Sequence, residues 1–166
     1  MTFSVECDEG TRELGIDTRA VFEKAASAAL EYTGCPYECD ISLTLTGDEV
    51  IRQMNREHRN TDRATDVLSF PMLEFEKPGD FSAVEEGTFD AFDPDTGELV
   101  LGDIVISADH VLSQAEEYGH TVLREYAFLI VHSMLHLQGF DHIEPDDALI
   151  MERAQDDIME KIGIRR

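Results

Sequence analysis

Apolar residues recur along this chain with two periods, every second residue and about every 3.6 residues, and the switches between them predict the elements. Phe3, Val5 and Cys7 alternate with polar neighbours, so Thr2 to Cys7 reads as a half-buried strand. After a loop over 8–15, Asp17 stands as an N-cap, and Val21, Phe22, Ala25, Ala28, Ala29 and Tyr32 recur at helical spacing until Gly34. That predicts a helix over about 18–33. Ile41, Leu43 and Leu45 alternate with Asp40, Ser42 and Thr44, giving a second strand over Cys39 to Thr46. Thr46 to Glu49 then has the form of a capping box. A short helix follows, with Val50, Ile51 and Met54 expected inward and Arg52 and Arg56 on its polar side.

A polar, basic loop beginning at Asn55 feeds a third strand, Val67 to Phe70, whose extent Pro71 limits. From Glu74 to Glu98 the pattern lapses: nine acids, one lysine, Pro78, Pro94 and three glycines predict an acidic surface insertion. Leu99 to Ile106 is rich in β-branched residues and reads as a central strand. Ser107 caps a helix running to about Tyr118, which Gly119 ends. Over Thr121 to Gln138 apolar residues cover most of the helical circumference, which predicts a buried helix. Pro145 fits the first position of a final helix to about Ile162. The expected fold is α+β: one domain over 1–166, with a mixed sheet of about four strands and helices packed on it.

Composition narrows the class. No apolar run approaches the length of a membrane span, and Glu6, Asp8 and Glu9 stand where an export signal would be basic and then apolar. Three cysteines make no disulfide framework, which together predicts a cytoplasmic protein. Cys35 and Cys39 form a close C-x3-C pair, but without a second pair they read as ordinary thiols. Net charge is −23, with 36 acidic against 13 basic residues, which opposes nonspecific attraction to nucleic acid or anionic membrane. A polyanion must then be met locally. Arg52, Arg56, Arg59 and Arg63 form the one dense basic patch and are candidates for that contact.

The buried helix carries the candidate chemistry. His132 and His136 are four apart and stack on one helical face, and Gly139 allows the chain to turn so that His142 returns over it. Three imidazoles leave a tetrahedral zinc with one open position, which makes the site a catalytic rather than a closed one. Burial of the helix fixes the ligand rotamers in advance. The pattern H-x-x-x-H-x-x-G-x-x-H matches the ligand skeleton of the metzincin peptidases, except that Ser133 stands where those enzymes place their glutamate base. Asp66, Asp103 and Asp141 are candidates to orient ligand histidines from a second layer, a role carboxylates commonly fill. His58, His110 and His120 read as surface or capping histidines.

Three separated blocks resemble the YbeY family of zinc-dependent endoribonucleases that mature ribosomal RNA. They are the Asn55 to Pro71 segment with its T-D-V-L-S-F-P, the L-G-D-I-V-I-S of Leu101 to Ser107, and the histidine motif ending in F-D-H. The resemblance implies that His132, His136 and His142 hold Zn2+ and that Arg59 is the functional arginine. It implies single-strand cleavage in 16S rRNA 3′-end maturation and ribosome quality control, with ribosomal RNA, ribosomal particles or ribosome-associated proteins as partners, and neither DNA nor membrane. The chain departs from the family pattern at Ser133, at His58 and in the length of the 74–98 segment. A metallopeptidase and a noncatalytic zinc module in ribosome assembly are the competing readings.

Overall fold

A computed structural model describes residues 1–84 and 91–164. Its elements run β1 (Thr2–Cys7), α1 (Thr18–Thr33), β2 (Cys39–Thr46), α2 (Asp48–Arg59), β3 (Val67–Pro71), β4 (Leu99–Ser107), α3 (Ala108–Tyr118), α4 (Val122–Leu137) and α5 (Pro145–Lys161). The fold is α+β, and the four strands make one mixed sheet in the order β1-β2-β4-β3. β1, β2 and β4 are parallel, and β3 runs antiparallel to β4 at the edge. Edge position is why Pro71 closes β3 rather than stopping it one residue earlier, since its missing N–H faces no partner strand.

Alternation, interrupted once on β4 where its register with β2 shifts between Asp40 and Ile41, decides what each sheet face meets. Ile41, Leu43, Leu45, Leu101, Ile104 and Ile106 join α1 and α4 in the main core. Leu68, Val105 and Phe70 point the other way and meet Ile51 and Met54 of α2 in a smaller cluster. Val50 is 42% exposed, so α2 turns only Ile51 and Met54 inward, a correction to the expected apolar face. The capping box is also absent. Gly47 is the N-cap of α2, without a side-chain bond, and the Asp48 N–H donates instead to Asp109 Oδ2 at 2.9 Å.

α4 is the buried helix the pattern predicted. It packs against α1, α3, α5, β3 and β4, and Tyr126, Ala127, Ile130, Val131, Met134 and Leu135 are fully enclosed. Its C-terminal end approaches the sheet closely because Gly102 has no side chain. A Cβ there would lie 2.5 Å from the Phe70 carbonyl oxygen and 2.8 Å from Leu137 Cδ2.

The 74–98 segment is not a solvated insertion throughout its described length. Phe81, Val84 and Ala91 are buried in the main core, with Phe75 and Phe92 packed against it. Glu98, 8% exposed, pairs with the Met1 amino group at 2.5 Å and accepts from Thr2 at 2.6 Å. The apolar residues spaced among the acids anchor it, a signal that the acidic composition masked. The acidic stretch 85–90 lies outside the described residues.

Candidate metal centre

His132 and His136 sit on the last turns of α4, and their Nε2 atoms lie 3.1 Å apart. The helix ends at Leu137, and Gly139, at φ 91°, reverses the chain. No other residue fits there, because a Cβ would collide with Phe75 of the acidic segment. The returning loop brings His142 over the pair, its ring centroid 5.6 Å from His132 and 5.1 Å from His136. Asp141 Oδ1 accepts from the Ile143 N–H at 3.0 Å and pins the turn that presents His142. One nitrogen from each of the three rings falls within 4.8 Å of the others.

The hydrogen bonds on the far side of two rings define what faces inward. His136 Nδ1–H donates to the Phe140 carbonyl oxygen at 3.0 Å, and His132 Nδ1–H donates to Gln155 Oε1 of α5 at 2.6 Å. Each ring therefore holds its proton on Nδ1 and turns a bare Nε2 lone pair toward the other. Two lone pairs 3.1 Å apart with no proton between them repel, and a cation relieves this. Burial lowers the pKa of both histidines, that of His136 to about 4 with a further contribution from His132. Neutral imidazoles with the distal nitrogen already bonded are the form in which histidine binds a transition metal, so the donor set fits zinc.

The three histidines line a cavity of about 580 Å³ whose other walls include Arg59, Asp66, Val67, Ser69, Leu73, Phe140 and Ile143. Arg59 is the last residue of α2, and Asn60, in a left-handed conformation at φ 53°, turns the chain away behind it. The Arg59 Nη2 donates to the Ser69 carbonyl oxygen at 2.5 Å, and its Cζ lies 5.8 Å from the centre of the Phe70 ring. His58 makes an edge contact with the same ring at 5.3 Å. The guanidinium is thus aimed by β3 through a bond that uses one of its five N–H donors.

The remaining sequence candidates separate. Asp66 lines the cavity, but its carboxylate accepts from the Val67 N–H at 2.8 Å and from Gln114 at 3.3 Å, and it acts on His132 only through its charge. Asp103 is corrected outright. It is exposed, bonds to Ser42, and lines a depression with Glu6, Asp40 and Thr44 on the sheet face away from α4. Arg52 pairs with Asp62 at 2.9 Å in a separate groove that it shares with Arg56, and Arg63 is exposed outside the cavity. His110 and His120 pair with Asp48 and Glu125.

A family model described as Endoribonuclease YbeY matches residues 5–163. The chain belongs to the YbeY family. A curated relative from Agathobacter rectalis named Endoribonuclease YbeY is 52% identical over 162 residues, covering 98% of this chain and 95% of the relative. Another of the same name, from Lachnoclostridium phytofermentans, is 47% identical across 100% of both chains. The solution structure of TM1509 from Thermotoga maritima superposes with a TM-score of 0.60 at 22% identity, over 97% of this chain and 89% of that one, and shows the same fold.

Sequence reasoning about this YbeY family member missed Gln155 and the Phe140 carbonyl, which hold the two ring protons, and Asn55. Asn55 is 6% exposed and donates from Nδ2 to the Arg63 carbonyl at 2.9 Å, fixing the loop after Arg59. Its place on the inward face beside Ile51 was a readable signal. Nothing in the local sequence pointed to Gln155, which α5 delivers across the core.

Proposed function

We propose that the chain, one domain over residues 1–166, is a single-strand-specific, zinc-dependent endoribonuclease. Its substrate is ribosomal RNA, at the 3′ end of the small-subunit 16S molecule, and it serves ribosome maturation and quality control in the cytoplasm. Ribosomal particles and ribosome-associated proteins are its partners, and no helix among the described residues is long and apolar enough to cross a membrane. The observation that carries the reading is the meeting of His132, His136, His142 and Arg59 at one cavity in a chain whose relatives are named endoribonucleases.

Bound zinc would supply Lewis acidity and lower the pKa of a coordinated water to about 7. The chain's own residues do the rest. His132, His136 and His142 would hold the ion, while Gln155 and the Phe140 carbonyl keep the first two rings in the required tautomer. Arg59 takes the scissile phosphate through two N–H donors and opposes the charge gathered there in the transition state. Asp141 positions the loop of His142, and Asp66 adds negative charge near His132. Arg52, Arg56 and Arg63 serve at most as outlying contacts to the RNA strand.

The peptidase reading is disfavoured by where Ser133 points. Its hydroxyl is fully buried and lies 2.5 Å from that of Ser69 in β3, so this position faces the sheet and offers no base. The test is a zinc-loaded protein given single-stranded ribosomal RNA fragments and casein in parallel. RNA cleavage that disappears in folded His136→Ala supports the proposal. Casein cleavage, or RNA processing undiminished in that variant, overturns it in favour of the peptidase or the noncatalytic module.

A further inference from the structure

Cys35 and Cys39 are set differently from the exposed Cys7. Their Sγ atoms lie 3.7 Å apart. Both are held by regular structure. Gly34 ends α1 in a left-handed turn, and the Cys35 N–H donates to the Leu30 carbonyl at 3.0 Å. Cys39 opens β2 in register with Leu99 of β4. Between them the Tyr37 carbonyl oxygen lies 3.6 Å from one sulfur and 3.7 Å from the other.

The two thiols have unequal surroundings. Cys35 is partly exposed, and Cys39 is completely buried. Hydrogen bonding with the Cys39 thiol lowers the Cys35 pKa to about 7, and the same partnership with burial raises that of Cys39. An accessible sulfur backed by a buried, protonated one is the arrangement of an attacking and a resolving cysteine. A metal role has no support, because the one group of three or more metal-ligating side chains found among the described residues is the histidine cluster.

We propose that Cys35 and Cys39 are a peroxide-reactive dithiol that closes to an intrachain disulfide. The Cys35 thiolate attacks one oxygen of hydrogen peroxide, and the O–O bond breaks to leave Cys35 sulfenic acid and hydroxide, which takes up a proton to become water. The Cys39 sulfur then attacks the Cys35 sulfur. Its S–H proton goes to the departing oxygen, the S–O bond breaks, and a second water leaves. Two thiols and one peroxide become one disulfide and two waters. The sulfurs must close from 3.7 Å to a bond of about 2.05 Å, a movement within reach of side-chain rotation.

The dithiol also has a packed route toward the cavity. The Tyr37 ring meets Phe81 edge-on at 6.4 Å, Phe81 meets Phe75 at 5.1 Å, and Phe75 lies against Gly139 in the cavity wall.

The test treats the full chain with hydrogen peroxide, counts thiols after denaturation and sequences the peptides by mass. Two of the three thiols should disappear, with a Cys35–Cys39 peptide lighter by two hydrogens that dithiothreitol restores. Cys7→Ser should behave the same way. Cys39→Ser should stop at a Cys35 sulfenic acid captured by dimedone. Because a change at buried Cys39 risks unfolding, Cys35→Ala supplies a second arm, in which Cys39 should keep its thiol. Oxidation confined to Cys7, dimers linked through Cys7, Cys35 carrying two or three oxygens without a cross-link, or oxidation of Cys39 in folded Cys35→Ala would each overturn the proposal.

Discussion

His132 and His136 on α4, and Arg52, Arg56 and Arg59 on α2, are both sets spaced three or four residues apart along a helix, yet the first converges and the second scatters. On α4 the face carrying the histidines is bounded by other structure and opens only to the cavity: Gln155 from α5 and the Phe140 carbonyl hold the two rings from behind, and the returning His142 joins them. On α2 the arginine face looks outward, Arg52 is taken by Asp62, and Arg59 alone, at the last turn, meets the cavity through β3. Helical spacing puts side chains on a common face. Whether that face becomes a site depends on what packs against it.

The sharpest way to break the contrast is to remove a converging ligand. His136→Ala should lower bound zinc from about one per chain to background, since two of three protein ligands remain. Metal analysis on the folded variant measures this, and full occupancy would mean the convergence has no bearing on metal. Arg59→Ala should cut turnover by about 10²–10³, the typical loss for one donor facing transition-state charge, with zinc content unchanged. Arg59→Lys should not recover it, because lysine keeps the charge without the planar fork. Wild-type turnover in the lysine variant would show that position matters only as charge.

Gln155→Leu removes no ligand but frees the His132 ring, and zinc affinity should fall about 10–100-fold in a competition titration. An unchanged affinity would mean that α5 contributes nothing to the convergence. A smaller effect concerns pH. In the metal-free protein His136 protonates only near pH 4, against 6.5 for an unperturbed histidine. The unfolded chain therefore binds more protons between those values, so stability should decline as pH falls from about 6.5 towards 4. Thermal melts across that range check it, and zinc-loaded protein should resist until the metal leaves. The smallest change is expected from Arg52→Ala, Arg56→Ala and Arg63→Ala. Each should leave turnover near wild type and reduce the slope of log K against log salt by roughly 0.7 if it touches a phosphate. A loss as large as that of Arg59→Ala would place the outward face in the site after all.

Most of the framework was legible because strands and helices write their periods into the order of apolar residues. The bounds of β1, α1 and β2 follow from alternation, from the Asp17 cap and from Gly34 in its left-handed turn. The histidine motif was legible for the same reason, since a four-residue step and a glycine stop are local features. The capping box at Thr46 failed because Asp109, distant in sequence, offered the Asp48 N–H a carboxylate acceptor. The acidic segment was misread because charge dominated its composition while a few well-spaced apolar residues, Phe75, Phe81 and Phe92, tied it to the core.

Sequence by itself determined which residues share a strand face or a helix turn, and therefore which histidines stand together. Only the tertiary structure decided that Asp103 faces away from them, that Gln155 rather than a carboxylate holds His132, and that one arginine of four reaches the cavity. The reason is physical. Periodicity is set by bonds between near neighbours in the chain, whereas the site is assembled from α2, β3, α4 and the loop after it, and burial of the whole core fixes their relative positions.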